Sequence, residues 1–197
     1  SESRPVSLYR LDYLLGYSLC EDGWDVFENL ACNAAASRDC RSLGYDGGAL
    51  QEYDVANARG IELCLHGNTQ LFSLSALDQM IPGARCSGTD WNAAKTLFCN
   101  SAISTTCRQQ GFEGGLLLEH NGINGQAYGL CLRGSSLRVP TQTLNRYHNL
   151  CTENFFDPFN HMACTAAASR LCRKQGFAGG VLQEFDGNQH VAFLVCS

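Results

Sequence analysis

Methionine occurs twice in this chain of 197 residues, and no apolar run approaches the roughly 18 residues needed to cross a bilayer. Lys and Arg form no cluster, and with a net charge of −5 and a pI near 5.5 there is no electrostatic footprint for nucleic acid or an anionic membrane surface. The Asn-x-Ser/Thr acceptor of N-glycosylation does not occur. His-Glu-x-x-His, Gly-x-Ser-x-Gly, Gly-x-Gly-x-x-Gly and the Walker pattern are missing, and no histidine recurs beside a recurring nucleophile. These absences argue against nucleic-acid partners, membrane insertion and enzymatic function. Ser1-Glu2-Ser3-Arg4-Pro5 lacks the basic start and apolar run of a signal peptide, so a mature, secreted form is expected.

Cysteine, by contrast, is abundant. The twelve residues fall into three sets, Cys20, Cys32, Cys40, Cys64, then Cys86, Cys99, Cys107, Cys131, then Cys151, Cys164, Cys172, Cys196. The spacings are 12, 8, 24 in the first set and 13, 8, 24 in the other two. The text around them repeats as well: each third cysteine opens Cys-Arg-x-x-Gly-aromatic-x-Gly-Gly, with Gly44, Gly111 and Gly176 at the fifth position, followed by x-Leu-x-Glu. A fixed period of this kind marks three copies of one unit, with boundaries expected at 1–67, 68–134 and 135–197. An even, high cysteine count places the chain in an oxidising, extracellular setting.

Cap and turn chemistry sets the expected elements. Asp25, Asn92 and Asp157 open alanine-rich segments as helix N-caps, with Pro158 at a first helical position, and the recurring glycines Gly44, Gly111 and Gly176 close them. Helices are predicted near 26–43, 93–110 and 158–175, followed by strands at 49–53, 116–120 and 181–185. Asn121-Gly122 and Asp186-Gly187 mark tight turns, Asp54–Asn57 a looser one, and each returning strand ends at the fourth cysteine. Alternation in Val6–Leu11 and Leu71–Leu77 suggests one further strand per copy. The fold class is α+β: three disulfide-stapled β-α-β-β repeats in a compact tandem or pseudo-threefold arrangement. Phe27, Leu30, Leu97, Phe159 and Met162 are expected to face the sheet of their own repeat, and segments 65–85 and 132–150 are too ordered in composition for flexible linkers.

A unit of about 65 residues buries too little surface to be secure alone. Of the three pairings four cysteines allow, second-to-third is excluded, since eight residues of helix span about 12 Å and bonded Cα atoms approach within about 7 Å. Two pairings remain. The returning strand ends beside the start of its hairpin, where the helix also ends, which favours first-to-second and third-to-fourth. Zinc is disfavoured: Cys-x₂₋₄-Cys pairs are missing, and His66, His120, His148, His161 and His190 do not recur in register. No cofactor or metal is expected.

Three recurring features bear on function. Glu52-Tyr53-Asp54, Glu119-His120-Asn121 and Glu184-Phe185-Asp186 combine a carboxylate, a flat ring and an Asx side chain, the inventory of a sugar site. The structural alternative is strong: Asx closes hairpins, and the glutamates can pair with Arg41, Arg108 and Arg173. Trp24, Trp91 and Phe156 precede the N-caps, and the polar N4 positions Asn29, Thr96 and His161 rule against a hydrophobic staple, leaving a packing role and a ligand platform evenly matched. Gly47-Gly48 and its counterparts could cradle an anion, though a helix-to-strand turn explains them more simply.

The Cys-Arg-x-x-Gly-aromatic-x-Gly-Gly string, with Cys20-Glu-Asp-Gly-Trp24-Asp25 upstream, resembles the start of a scavenger receptor cysteine-rich domain. The likeness stops there, because the repeats are shorter, carry four cysteines and lack the later acidic Trp-Leu-Asp-Asp-type segment; no family membership follows. The expectation is a secreted multivalent lectin with one weak site per repeat, its partners glycans or glycoproteins. A protein-binding inhibitor or recognition factor is the alternative and a secreted hydrolase the third choice. Homo-oligomer formation is left open.

Overall fold

The computed structural model describes residues 1–21, 26–81, 86–87, 93–153 and 158–197, with the side chains of 26–29, 93–96 and 158–160 outside the description. The expected N-caps Asp25, Asn92 and Asp157 and the aromatics Trp24, Trp91 and Phe156 lie outside the described residues, as do the side chains of Phe27 and Phe159.

Each repeat contains one more helix than its sequence suggests. The first runs β1 (Glu2–Ser7), α1 (Leu8–Leu15), α2 (Val26–Ser42), β2 (Gly47–Asp54) and β3 (Arg59–Leu65). The second runs β4 (Gly67–Ser73), α3 (Leu74–Met80), α4 (Ala93–Gln109), β5 (Gly114–Asn121) and β6 (Gln126–Leu132). The third runs β7 (Ser135–Pro140), α5 (Thr141–Tyr147), α6 (Pro158–Lys174), β8 (Gly180–Asp186) and β9 (Val191–Cys196). The expected upstream strand over 6–11 or 71–77 is corrected: the strand stops at Ser7 or Ser73 and a short helix follows. Ser73 caps its helix by accepting the Ala76 N–H, and Leu74 and Leu77 are buried at helical spacing.

Every sheet has three antiparallel strands with the returning strand in the middle, in the orders β1-β3-β2, β4-β6-β5 and β7-β9-β8. The long helices end where glycine permits it. Gly44, Gly111 and Gly176 have φ of 93°, 86° and 91°, and the next residue's N–H reaches back to the third cysteine's carbonyl, as Tyr45 does to Cys40 at 3.1 Å. That is the Schellman closure of a helix. Six disulfides join first to second and third to fourth cysteines in each set: Cys20–Cys32, Cys40–Cys64, Cys86–Cys99, Cys107–Cys131, Cys151–Cys164 and Cys172–Cys196. The second glycine of each pair after the helix is explained by the second bridge. A Cβ on Gly48 would lie 2.5 Å from Cys40 Sγ, and one on Gly115 2.7 Å from Cys107 Sγ.

The alanine faces of the long helices cover their own sheets, as Ala35 and Ala36 do with Val6, Leu8 and Leu50. The larger apolar residues do not stay at home, which corrects the expectation for the leucines and Met162. Leu30 packs on the second repeat's core around Ile103 and Leu117, Leu97 joins the third repeat's core with Leu144 and Leu194, and Met162 shares a pocket with the first repeat's Gln51 and Tyr53. Accordingly α2 packs on β5, α4 on β8, and α6 back on β2. Leu63, Leu65, Leu116, Leu118, Leu130, Leu132, Val181 and Val195 from all three sheets form a common core between them.

One cluster belongs to the first repeat alone. Arg4 lies opposite Glu62 across the sheet, and its guanidinium approaches the Glu62 carboxyl to 3.6 Å. Glu62 is fully buried, and Arg10 Nε donates to the nearly buried Asp39 at 2.9 Å. Burial and then the neighbouring Asp39 charge push the Glu62 carboxyl up to about 8, so it holds its proton at neutral pH. The strand pair Arg4–Glu62 is Gln70–Gly129 in the second repeat and Leu137–Leu194 in the third. Asp39, the residue before the third cysteine, becomes Thr106 and Leu171.

Candidate functional site

The hairpin that carries the Glu-ring-Asx triplet is bulged at the same place in each repeat, between Leu50 and Glu52, Leu117 and Glu119, and Leu182 and Glu184. A bulge re-aims the side chains next to it. Asn33 Oδ1 accepts the Leu50 N–H at 2.8 Å and Asn100 Oδ1 the Leu117 N–H at 2.7 Å, so the long helix satisfies the amide beside the bulge. In the third repeat Thr165 takes that helix position, and its hydroxyl returns to the His161 carbonyl.

The three glutamates do pair with the recurring arginines, but across repeats. Glu52 accepts from Arg170 Nε and Nη2 at 3.1 and 2.7 Å and from Arg173 Nη2 at 2.8 Å. Glu119 accepts from Arg38 at 3.0 and 3.1 Å and from Arg41 at 2.6 Å. Glu184 takes the Ser101 hydroxyl at 2.8 Å and a single, longer bond of 3.4 Å from Arg108. Burial alone would raise the Glu52 and Glu119 carboxyls, and the arginine hydrogen bonds outweigh it, holding both below the ordinary carboxylate value.

The Asx residues close their turns. Asp54 Oδ1 accepts the Asn57 N–H, Asn121 Oδ1 the Asn124 N–H, and Asp186 Oδ1 the N–H groups of Asn188 and Gln189. The ring positions diverge. His120 Nε2 hydrogen-bonds the Cys86 carbonyl at 3.0 Å, Phe185 packs on the third repeat's core, and Tyr53 stands against the first repeat's core while lining two pockets. Burial lowers the His120 imidazole.

At the junction of the third and first repeats the triplet borders a pocket of about 170 Å³. Its walls are Gln51, Glu52 and Tyr53 from β2, His148 and Leu150 from the segment after α5, and Met162, Ala163, Ala166 and Arg170 from α6. Polar and apolar groups share its wall. Gln51 is 3% exposed, and neither end of its amide has a hydrogen-bond partner. A buried amide in that state loses the hydrogen bonds water would give it. The corresponding residue is the core leucine Leu118 in the second repeat and Gln183 in the third, whose Oε1 accepts the Gly115 N–H at 2.9 Å. Burial, then the Arg170 charge, lower the His148 imidazole, so it presents a neutral ring to the pocket.

Gln51 also borders a second, smaller void of roughly 30 Å³, the size of one or two waters, where all three repeats meet. Asn33, Asn100 and Thr165 reach it from equivalent helix positions, with His161, whose burial pushes it down to about 4. Among the described residues the one grouping of metal-ligand type is Cys40, Glu62 and Cys64, and its two sulfurs are bonded to each other. It offers no thiolate to an ion.

The triplet glutamates and Tyr53 are thus placed at the junctions, the Asx residues in turns, and His120 and Phe185 against neighbouring structure. Gln51, Leu150 and Arg170 were not singled out from the sequence, His148 was weighed only as a zinc ligand, and Met162 was expected only in the core of its own repeat. The available signal was weak: Gln51 is the variable residue within the repeated Leu-x-Glu. Comparison with known protein families, with curated proteins and with solved structures finds no match to this chain.

Proposed function

We propose that the protein is a secreted carbohydrate-binding protein whose principal site is the pocket between the third and first repeats. The observation that carries this reading is the unpartnered Gln51 amide beside that pocket. An amide offers one acceptor and two donors, which complement the hydroxyl and acetamido groups of a sugar. Glu52 and Arg170, locked together, supply fixed polar edges, while Tyr53, Leu150 and Met162 offer apolar surface to the C–H face of a ring. At about 170 Å³ the pocket is below the roughly 300–1,000 Å³ of drug-sized sites, which suits one sugar ring.

Six disulfides support an oxidising, extracellular location. We further read the repeats at 1–67, 68–134 and 135–197 as modules of a closed pseudo-threefold body. The other two junctions are the corresponding secondary sites, weaker because Leu118 or the already engaged Gln183 replaces Gln51.

Glycan-array binding of the whole chain tests the reading, with Gln51→Leu as the companion variant because leucine stands at this position in the second repeat. The expected result is a sugar-inhibitable signal that the variant loses by tenfold or more with unchanged melting temperature. An array without a signal, or a variant that binds as the parent does, overturns it.

One observation favours a protein partner as the second reading. Tyr9, Tyr13 and Tyr17 are 62%, 77% and 57% exposed, four residues apart on and just beyond α1, and exposed tyrosines are frequent anchors in protein recognition. Capture of one protein, surviving deglycosylation and lost in Tyr9→Ser/Tyr13→Gln, would favour it.

A further inference from the structure

The corner where each hairpin returns to the short helix is built alike in the first two repeats. A residue in the left-handed region, Ala58 at φ 50° or Gly125 at φ 63°, accepts at 2.9 Å the N–H of a buried leucine, Leu8 or Leu74. The third repeat keeps this backbone, with His190 at φ 54° accepting the Thr141 N–H at 2.9 Å, and changes both side chains. Threonine at a core leucine position gives up apolar burial, and a histidine stands at the left-handed corner where the other repeats carry alanine and glycine. Departures that weaken the fold mark places where something other than folding is being served.

Both departures converge on Glu153. Its Oε1 accepts from Thr141 Oγ1 at 2.7 Å and from His190 Nδ1 at 2.8 Å, so the imidazole is oriented with Nε2 turned away from the carboxylate. These bonds, the threonine's first, hold the Glu153 carboxyl below its ordinary value. Thr141, Glu153 and His190 line a cavity of about 650 Å³ together with Gln142, Asn145 and Thr152. Its wall adjoins the junction pocket: Leu150 lines one and Cys151 the other, and consecutive Cα atoms lie about 3.8 Å apart. Asn145 Nδ2 braces this partition by donating to the carbonyls of Asn149 and Cys151 at 2.9 and 3.0 Å.

Building on the carbohydrate reading above, we propose that this cavity is a second sugar subsite, and that the ligand is an oligosaccharide seating one residue in the junction pocket and the next across the Leu150–Cys151 partition, against Glu153 and His190. The Glu153 carboxylate accepts its hydroxyls, and His190 Nε2 and the amides around the rim add polar contacts. The arrangement is unique to the third repeat, the same repeat that supplies His148, Leu150 and Arg170 to the junction pocket.

The test is calorimetric titration of the whole chain with matched mono-, di- and trisaccharides of glucose, galactose, mannose and N-acetylglucosamine. The key variant is Thr141→Leu/His190→Gly, which restores the side chains of the second repeat's corner and is expected to raise the melting temperature. The parent should gain tenfold or more in affinity from mono- to disaccharide in one series; the variant should lose that gain and keep the monosaccharide affinity. Glu153→Gln, which keeps the shape, should lose part of it. A parent with no gain on lengthening, or a gain that persists in both variants, overturns the subsite while monosaccharide binding leaves the broader reading standing. Should no sugar of any length bind, both fall together.

Discussion

Arg170 grips the Glu52 carboxylate with two parallel hydrogen bonds, Nε at 3.1 Å and Nη2 at 2.7 Å, between residues 118 positions apart in the chain. Its remaining Nη1 donates to the Tyr147 carbonyl, so the guanidinium ties the third repeat's short helix, its long helix and the first repeat's hairpin at one point. The same device recurs with Arg38 and Glu119, where Nη1 meets the Leu14 carbonyl. Thr105 stands at that helix position in the remaining junction.

The three junctions should therefore differ in strength. Glu52→Gln and Glu119→Gln are expected to lose about 1–3 kcal/mol of stability and Glu184→Gln nearer to 1, by the usual worth of charge-assisted bonds. Because the Glu52 and Glu119 carboxyls lie below their ordinary value in the folded chain, their contribution is present above the unfolded value of 4.5 and is lost as pH falls through the lower folded values. Urea midpoints followed downward from pH 7 check this: the two variants should differ from the parent at pH 7, and the difference should shrink as the pH falls below 4.5.

Glu62 gives the opposite slope. Its folded value near 8 lies above the unfolded 4.5, so its contribution is full below 4.5, declines as the unfolded chain alone gives up the proton, and is gone above about 8. Arg4→Leu/Asp39→Leu/Glu62→Leu transplants the third repeat's Leu137, Leu171 and Leu194 into the first. It should abolish the decline between pH 5 and pH 8 and stabilise the protein at pH 8 by about 1–4 kcal/mol, as replacement of buried ionic clusters often does. A parent with flat stability over that range would contradict the assignment.

Gly48→Ala should be among the most damaging single-methyl additions. The new Cβ would meet Cys40 Sγ at 2.5 Å and the Leu63 carbonyl at 2.6 Å, and neither a disulfide nor a central strand can retreat. Gly44→Ala, with open space around it, should cost only the left-handed penalty of about 1–2 kcal/mol. Thermal midpoints of the two variants, measured side by side, decide whether Gly48→Ala loses more.

Peptide mapping without reductant should recover six bridges, each inside one cysteine set. Replacing Cys172 and Cys196 together by serine should cost about 2–5 kcal/mol, in line with native bridges of small extracellular domains. A map with bridges between sets would contradict the fold described.

What the sequence made legible was local. The Gly44 helix stop, the Asn121-Gly122 turn and the cysteine pairing follow from cap geometry, turn chemistry and helix rise, none of which depends on a distant partner. The short helices were hidden because Leu71, Phe72 and Ser73 alternate as a strand and pass into Leu74 and Leu77 without a glycine or proline between them; Ser73 as a cap was the available cue. The destination of Leu30 and Leu97 was not legible at all, since an apolar stripe on a helix has the same period whichever sheet it covers. The junction pocket shared that fate, being assembled from β2, the end of α5 and α6, elements brought together only by tertiary packing.

Since α6 seats on β2 as α2 seats on β5 and α4 on β8, every hairpin has a roof lent by another repeat. A solenoid with the same units would leave two terminal surfaces bare and could fray from either one. Here removal of any single repeat exposes leucines on both of its neighbours, so the molecule has no free end from which to fray, and melting should proceed as one concerted event rather than as three.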